Sequence, residues 1–123
     1  MIQVQTWLRT MDNSGARQVE CIKTLGGYNR KVSYTGDYIL VSVKGLRFIR
    51  KVRVGQVLLG LITRTKKEIR YLDGTYTKNS MNVVLVMNRK KRVLGTRFFG
   101  WISRKLRRKK FLRILILCGK RIL

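Results

Sequence analysis

The sequence predicts a mainly β domain: a small antiparallel barrel or sandwich with short helices at its C-terminal end. Three observations carry this. Short apolar runs alternate with a period of two, as half-buried strands do. Turn-forming clusters, Asp12-Asn13-Ser14-Gly15, Leu25-Gly26-Gly27, Thr35-Gly36-Asp37 and Asp73-Gly74, fall between those runs. After Gly100 the apolar spacing lengthens from two to four, the repeat of a helix face.

The elements follow in order. Beyond the turn at 12–15, Val19, Cys21 and Leu25 form one alternating set. Ile39, Val41 and Val43 share a face of the run from Tyr38 to Lys44. In the run 57–65, Val57, Leu59 and Leu61 make the apolar face, and Arg64 emerges on the other. Asp73-Gly74, between Tyr71 and Tyr76, predicts a projecting hairpin with a two-residue turn. Asn82 to Met87 is apolar on both faces, so it belongs at the centre of a sheet or under a cap. Ile102 with Leu106, and Phe111 with Ile114 and Leu115, predict two short packed helices, their stripe interrupted by the basic run 107–110. Trp7 and Phe111 are assigned to the core. With no Pro, no Ser-rich linker and no repeat, residues 1–123 are expected to form one domain, the barrel to about residue 100 and the helices over about 101–117.

Charge bounds the function. The chain carries 29 Lys and Arg against five acids, a formal charge of +24. Nineteen of those cations lie in 62–123, and no acid follows Asp73. A hydrophobic fraction of 45% still allows a core, so this is not a disordered basic tail. A chain so charged repels its own copies, which argues against a homo-oligomer and for a polyanionic partner. Nucleic acid fits best. An anionic membrane fits less well: the longest late apolar run, Ile114 to Cys118, is far below the ~20 residues of a span, and the interrupted stripe disfavours a surface helix. The first residues lack the apolar core of a signal peptide, so the protein is expected to work where it is made.

Catalysis and cofactors are not expected. There is no His, and the few acids are scattered, so general acid–base pairs are hard to assemble. No phosphate-loop motif is present, and Gly26-Gly27 followed by Arg30 and Lys31 lacks the helix start that would receive a phosphate. Cys21 and Cys118, distant in sequence and without His, predict buried thiols rather than a metal site, with a disulfide as the lesser reading.

The cations cluster instead. Arg30 and Lys31 are RNA-binding candidates, and Arg47, Arg50, Lys51 and Arg53 form one group. Arg64, Lys66, Lys67 and Arg70 lead into the hairpin, and Lys78 returns from it. Arg89, Lys90, Lys91 and Arg92 form an unbroken run. The segment from Trp101 to Arg113 adds Arg104, Lys105, Arg107, Arg108, Lys109, Lys110 and Arg113. Sixteen of the 29 cations are Arg, suited to bidentate phosphate contacts and stacking. Tyr28, Tyr34, Phe48, Tyr71, Tyr76, Phe98 and Trp101 lie near these clusters and are candidates for stacking on unpaired bases. With no sequence-reading motif, cations spread over several loops suggest recognition of a folded RNA by shape.

DNSGAR with CIK-x-LGG (12–27), GDYILVSVK (36–44), RTKK (64–67), DGT (73–75) and GTRFFG (95–100) occur in order. Together they resemble the large-subunit ribosomal protein L-fourteen family, over Met1 to about Leu117. The resemblance implies a five-stranded barrel with short C-terminal helices. It also implies binding to large-subunit rRNA, contact with small-subunit rRNA across the subunit interface, and a neighbour of the L-nineteen type. Family basic positions match Arg17, Lys23, Lys44, Arg64, Lys66, Lys67, Arg70, Arg97, Arg104 and Arg107. The expected function is therefore a structural constituent of the large subunit; the alternative is a free-standing RNA chaperone or regulator on the same barrel. The sequence departs from the family's pattern where Val93 and Trp101 replace Pro, where Ser80 replaces Asp, and where Lys105, Lys109 and Lys120 replace acids. These last changes make a mixed surface cationic. A single Ala, at position 16, and the absence of Pro suggest an AT-rich coding sequence. Together these signs fit an organelle-encoded protein of the mitochondrial matrix, with a bacterial cytoplasmic or plastid protein as the alternative.

Overall fold

The computed structural model describes every residue except Ile49, Arg50, Arg108, Lys120, Arg121 and Leu123, and omits the side chain of Lys109. Its strands are β1 (Trp7–Thr10), β2 (Ala16–Thr24), β3 (Tyr38–Leu46), β4 (Val57–Arg64), β5 (Ile69–Arg70), β6 (Tyr76–Thr77) and β7 (Val83–Met87). Strands β1, β2, β3, β4 and β7 close into a barrel, and β5 pairs with β6 in a separate hairpin. The barrel pairings are antiparallel except one: β1 runs parallel to β7, with Arg9 opposite Val83 and Thr10 opposite Val84. The alternating pattern pointed to an antiparallel barrel throughout. An odd number of strands cannot alternate direction around a closed ring, so one parallel pair is unavoidable.

Two apolar layers result. Leu8, Val19, Cys21, Ile39, Val41, Val43, Leu58, Ile62, Val84 and Val86 fill the barrel interior. Leu59, Leu61, Val83, Leu85 and Met87 point outward and are covered by Phe98, Ile102, Leu106, Phe111 and Ile114 from the C-terminal segment. Strand β7 is apolar on both sides because one face is barrel and the other lies under this cap, as expected. The same holds for β4, and there the face assignment changes: Leu58, Gly60 and Ile62 look inward, Leu59 and Leu61 look to the cap, and Val57 is exposed. A period of two cannot identify the inner face of a strand buried on both sides. Gly60 is needed where it is, because a Cβ there would stand 2.6 Å from Val84 Cγ2 and 3.2 Å from Val41 Cγ1. Register shifts along β2, between Ala16 and Val19 and again between Cys21 and Lys23, provide the coiling that closure requires.

Trp7 is not a core residue. It is 58% exposed on the outer face of β1, opposite Glu20, while its neighbour Leu8 fills the interior. Phe111 is buried as expected. The hairpin turn has three residues rather than two: Tyr71 N–H donates to Thr75 O at 2.8 Å, enclosing Leu72-Asp73-Gly74 with Gly74 at φ 83°. Asp73 braces the turn by accepting from the Thr75 hydroxyl at 2.6 Å and its N–H at 3.1 Å.

At the C-terminal end, 3-10 turns at Arg104–Leu106 and Lys109–Phe111 precede one short helix, α1 (Leu112–Leu117). The first expected helix is thus a single tight turn. Ile114, not Leu115, supplies the deeply buried contact of α1; the tighter winding of the entering 3-10 turn shifts the helix phase. Both cysteines are buried thiols, not partners in a disulfide.

Candidate nucleic-acid interface

Two turns remote in sequence are tied into one platform. Asp12 is fully buried, and its carboxylate accepts from the Ser14 hydroxyl at 2.6 Å and from the N–H groups of Ser14 and Val86 at 3.4 Å each. Burial raises its pKa above the ordinary carboxylate value, with the Ser14 hydrogen bond pulling the other way. Asn13 reaches the loop that follows Gly95: its Oδ1 accepts from Thr96 N at 2.7 Å and Arg97 N at 3.1 Å, and its Nδ2 donates to Thr96 Oγ1 at 2.8 Å. Gly95 permits this approach, since a Cβ there would lie 2.9 Å from Asp12 Cβ. The exposed side chain of Arg97 is therefore presented from a fixed backbone.

Lys105 is shared by three concavities rich in cations. It lines a concavity with Arg30, Tyr34, Asp37, Lys110 and Phe111. It lines a second with Tyr34, Lys67, Glu68 and Arg70. It lines a third with Tyr71, Leu72, Asp73, Arg104 and Arg107. The fold thus brings the C-terminal cations beside those leading into the hairpin, which lie some 35 residues earlier in the chain. In each concavity three cations outweigh a single acid (Asp37, Glu68 or Asp73), and such an excess over a low-dielectric body creates a positive field that would attract a phosphate backbone. Arg30 is partly spent on local structure: it pairs with the Asp37 carboxylate, and its Nε donates to Val32 O at 3.0 Å.

The other clusters stand apart. Arg17 and Arg47 flank Phe48 in a separate concavity, and Lys51 and Arg53 are exposed on the same connection. Exposed Arg89, Lys90, Lys91 and Arg92 form a tight turn, closed by Asn88 N–H donating to Arg92 O at 2.9 Å. Lys91 Nζ stands 4.9 Å from the Tyr38 ring centroid, and Lys91, Arg92, Lys110 and Arg113 edge an apolar groove running past Ile114. Lys44 pairs with Glu20 at 3.1 Å in a largely solvated contact. Lys23, Lys31, Lys66 and Lys78 are exposed. Arg50, Arg108 and the Lys109 side chain lie outside the described residues.

Arg64 is the exception. It was expected on the RNA-facing side, yet it is 5% exposed. Its guanidinium lies 5.3 Å from the Trp101 ring centroid and 6.0 Å from that of Phe98, and Nη2 donates to Phe99 O at 3.5 Å. Its Nε has no hydrogen-bond partner among the described residues. Burial lowers its pKa, and the nearby Cys118 partly offsets this. Gly100, at φ 85°, allows the fit, because a Cβ there would stand 3.0 Å from Arg64 Nη2. Arg64 pins the 98–101 loop to the barrel rather than facing outward, and Trp101 is held on its far side by Nε1 donating to Asn79 Oδ1 at 3.1 Å. Sequence reasoning also passed over Arg9, which is exposed on β1; its outward position follows from alternation with the buried Leu8.

Among the described residues no group of acids, Cys or His could hold a metal ion, and no helix is long and apolar enough to cross a membrane. The model of one protein family, described as ribosomal protein L14p/L23e, matches residues 1–122.

Proposed function

This chain belongs to the ribosomal protein L14p/L23e family, and we propose that it binds large-subunit rRNA through phosphate and shape contacts at the intersubunit face. Membership makes it a structural constituent of the large ribosomal subunit that acts in translation with rRNA and other ribosomal proteins, in a family that is typically not enzymatic. The observation that carries the finer reading is the convergence of Arg104, Lys105, Arg107 and Lys110 with Lys67 and Arg70 on one surface. That surface supplies the counter-charge that rRNA needs, with the rigidly presented Arg97 and the Arg89–Arg92 turn as further contacts. The acid-poor composition beyond Asp73 supports the same reading. The chain is inserted as one copy, beside an L-nineteen-type protein and reaching small-subunit rRNA. Its departures from the family's pattern at Trp101, Lys105 and Lys109 support an organelle-encoded protein of the mitochondrial ribosome.

The test is sedimentation of tagged protein from its native cell or organelle on sucrose gradients, in moderate and then high salt. Co-migration with the large subunit and the joined ribosome through moderate salt is expected, as is recovery from isolated mitochondria. If ~8 phosphates are contacted, log affinity for rRNA falls with log salt at a slope of about −6 to −7. Loss at moderate salt, or migration at the top of the gradient, would instead make the protein a free RNA-binding factor.

A further inference from the structure

Phe48 stands in water at 102% exposure, beside Arg17, Leu46 and Arg47 around an open concavity of about 620 Å³. On one side of Phe48, Arg47 N–H donates to Gly15 O at 2.8 Å and Arg47 Nη2 donates to Thr10 O at 3.3 Å. On the other, Lys51 N–H donates to Ser14 O at 2.9 Å. Arg47 and Lys51 are thus both hydrogen-bonded to the turn between β1 and β2, and Arg17 projects from the strand that leaves that turn. Among the described residues no acid lines the concavity.

A fully wet aromatic ring flanked by two guanidinium groups suits a ligand with a flat π-face and an adjoining negative charge. We propose that Phe48, Arg17 and Arg47 form a stacking site for one unpaired rRNA base and its phosphate, a site that rests on the ribosomal reading above. The base lies on the Phe48 ring, and the guanidiniums, which keep donors beyond those used locally, take the phosphate oxygens. Arg47, whose N–H and Nη2 are already held by Gly15 O and Thr10 O, loses less freedom than a loose side chain when it takes the phosphate. An acidic peptide could satisfy the arginines, but it offers the Phe48 ring no aromatic face as a matter of course.

The experiment compares wild type, Phe48→Leu and Phe48→Tyr in purified large subunits, using short-wavelength cross-linking with mass spectrometry and release by rising salt. The expected result is a nucleotide adduct on the peptide containing Phe48, lost in Phe48→Leu and kept in Phe48→Tyr. Loss of the stack weakens binding about tenfold without changing the salt slope, since no phosphate contact is removed. Subunits that hold the wild-type chain with no adduct at Phe48, and release Phe48→Leu at the same salt, overturn the site. So does an adduct to a protein neighbour instead of a nucleotide. If none of the three chains enters the subunit, the ribosomal reading falls and takes this site with it, an outcome distinct because Phe48 is irrelevant to it.

Discussion

Replacing Gly60 by Ala puts one methyl group into the barrel interior. The added Cβ would meet Val84 Cγ2 at 2.6 Å, Val41 Cγ1 at 3.2 Å and Ile39 Cγ1 at 3.4 Å. Unstrained carbon contacts lie at about 3.5–4.0 Å, so the first overlap is close to 1 Å. Val84 cannot swing away easily: it is fully buried, β-branched and in a strand paired on both sides. Overpacking of this kind costs about 1–3 kcal/mol. Gly60 is outside the left-handed region, so Ala also regains roughly 0.5–1 kcal/mol of backbone entropy and strand propensity. An overlap close to 1 Å against a side chain that cannot yield puts the cost in the upper part of the overpacking range, about 2–3 kcal/mol, so the net loss is about 1–2.5 kcal/mol, which for a domain of this size lowers Tm by roughly 3–15 °C. Thermal melting followed by far-ultraviolet circular dichroism at fixed salt measures it. Gly74→Ala is the matched control: its Cβ would touch nothing within 4 Å, but its φ of 83° carries backbone strain alone. A Gly60→Ala chain that melts at or above wild type would refute the claim that contact with Val84 is what demands glycine in β4.

Three further outcomes are expected. Asp12 has a folded-state pKa raised above 3.8, so the folded protein holds this proton more tightly than the unfolded chain; the resulting stability is present at low pH and is lost as pH rises through the raised value, a decline that urea titrations should show in wild type and not in Asp12→Asn. Arg64→Met should leave the salt slope of RNA binding unchanged, because a pin buried under Trp101 touches no phosphate; a slope shallower by roughly 0.7–0.9 would return Arg64 to the interface. Lys105→Glu with Lys110→Glu should make that slope shallower by about 1.5–2 if each contacts one phosphate, and subunits that retain the double variant with an unaltered salt profile would remove this surface from the rRNA contact.

Local sequence was sufficient wherever the physics is local. Alternation identified the inward face of β3, where Ile39, Val41 and Val43 line the barrel. The two-sided apolarity of Val83–Met87 announced a strand covered on both faces, and the turn clusters located the breaks between strands. The excess of Lys and Arg predicted a polyanionic partner, and the absence of His left few groups for acid–base chemistry. Tertiary structure decided what depends on distant neighbours. Which face of β4 looks inward follows from β7 and the C-terminal cap, not from β4 itself. Whether a cation in a basic run stays wet is equally non-local: Arg64 and Lys66 are two residues apart, but only Arg64 meets the 98–101 loop some 35 residues on, which takes it out of water. Lys105 owes its central place to the same long-range packing, since Leu106 must reach the outer faces of β4 and β7 before Lys105 beside it can line one concavity with Lys67 and Arg70. Periodicity records the environment of successive residues, whereas burial and charge convergence arise from segments that meet only after the barrel has closed.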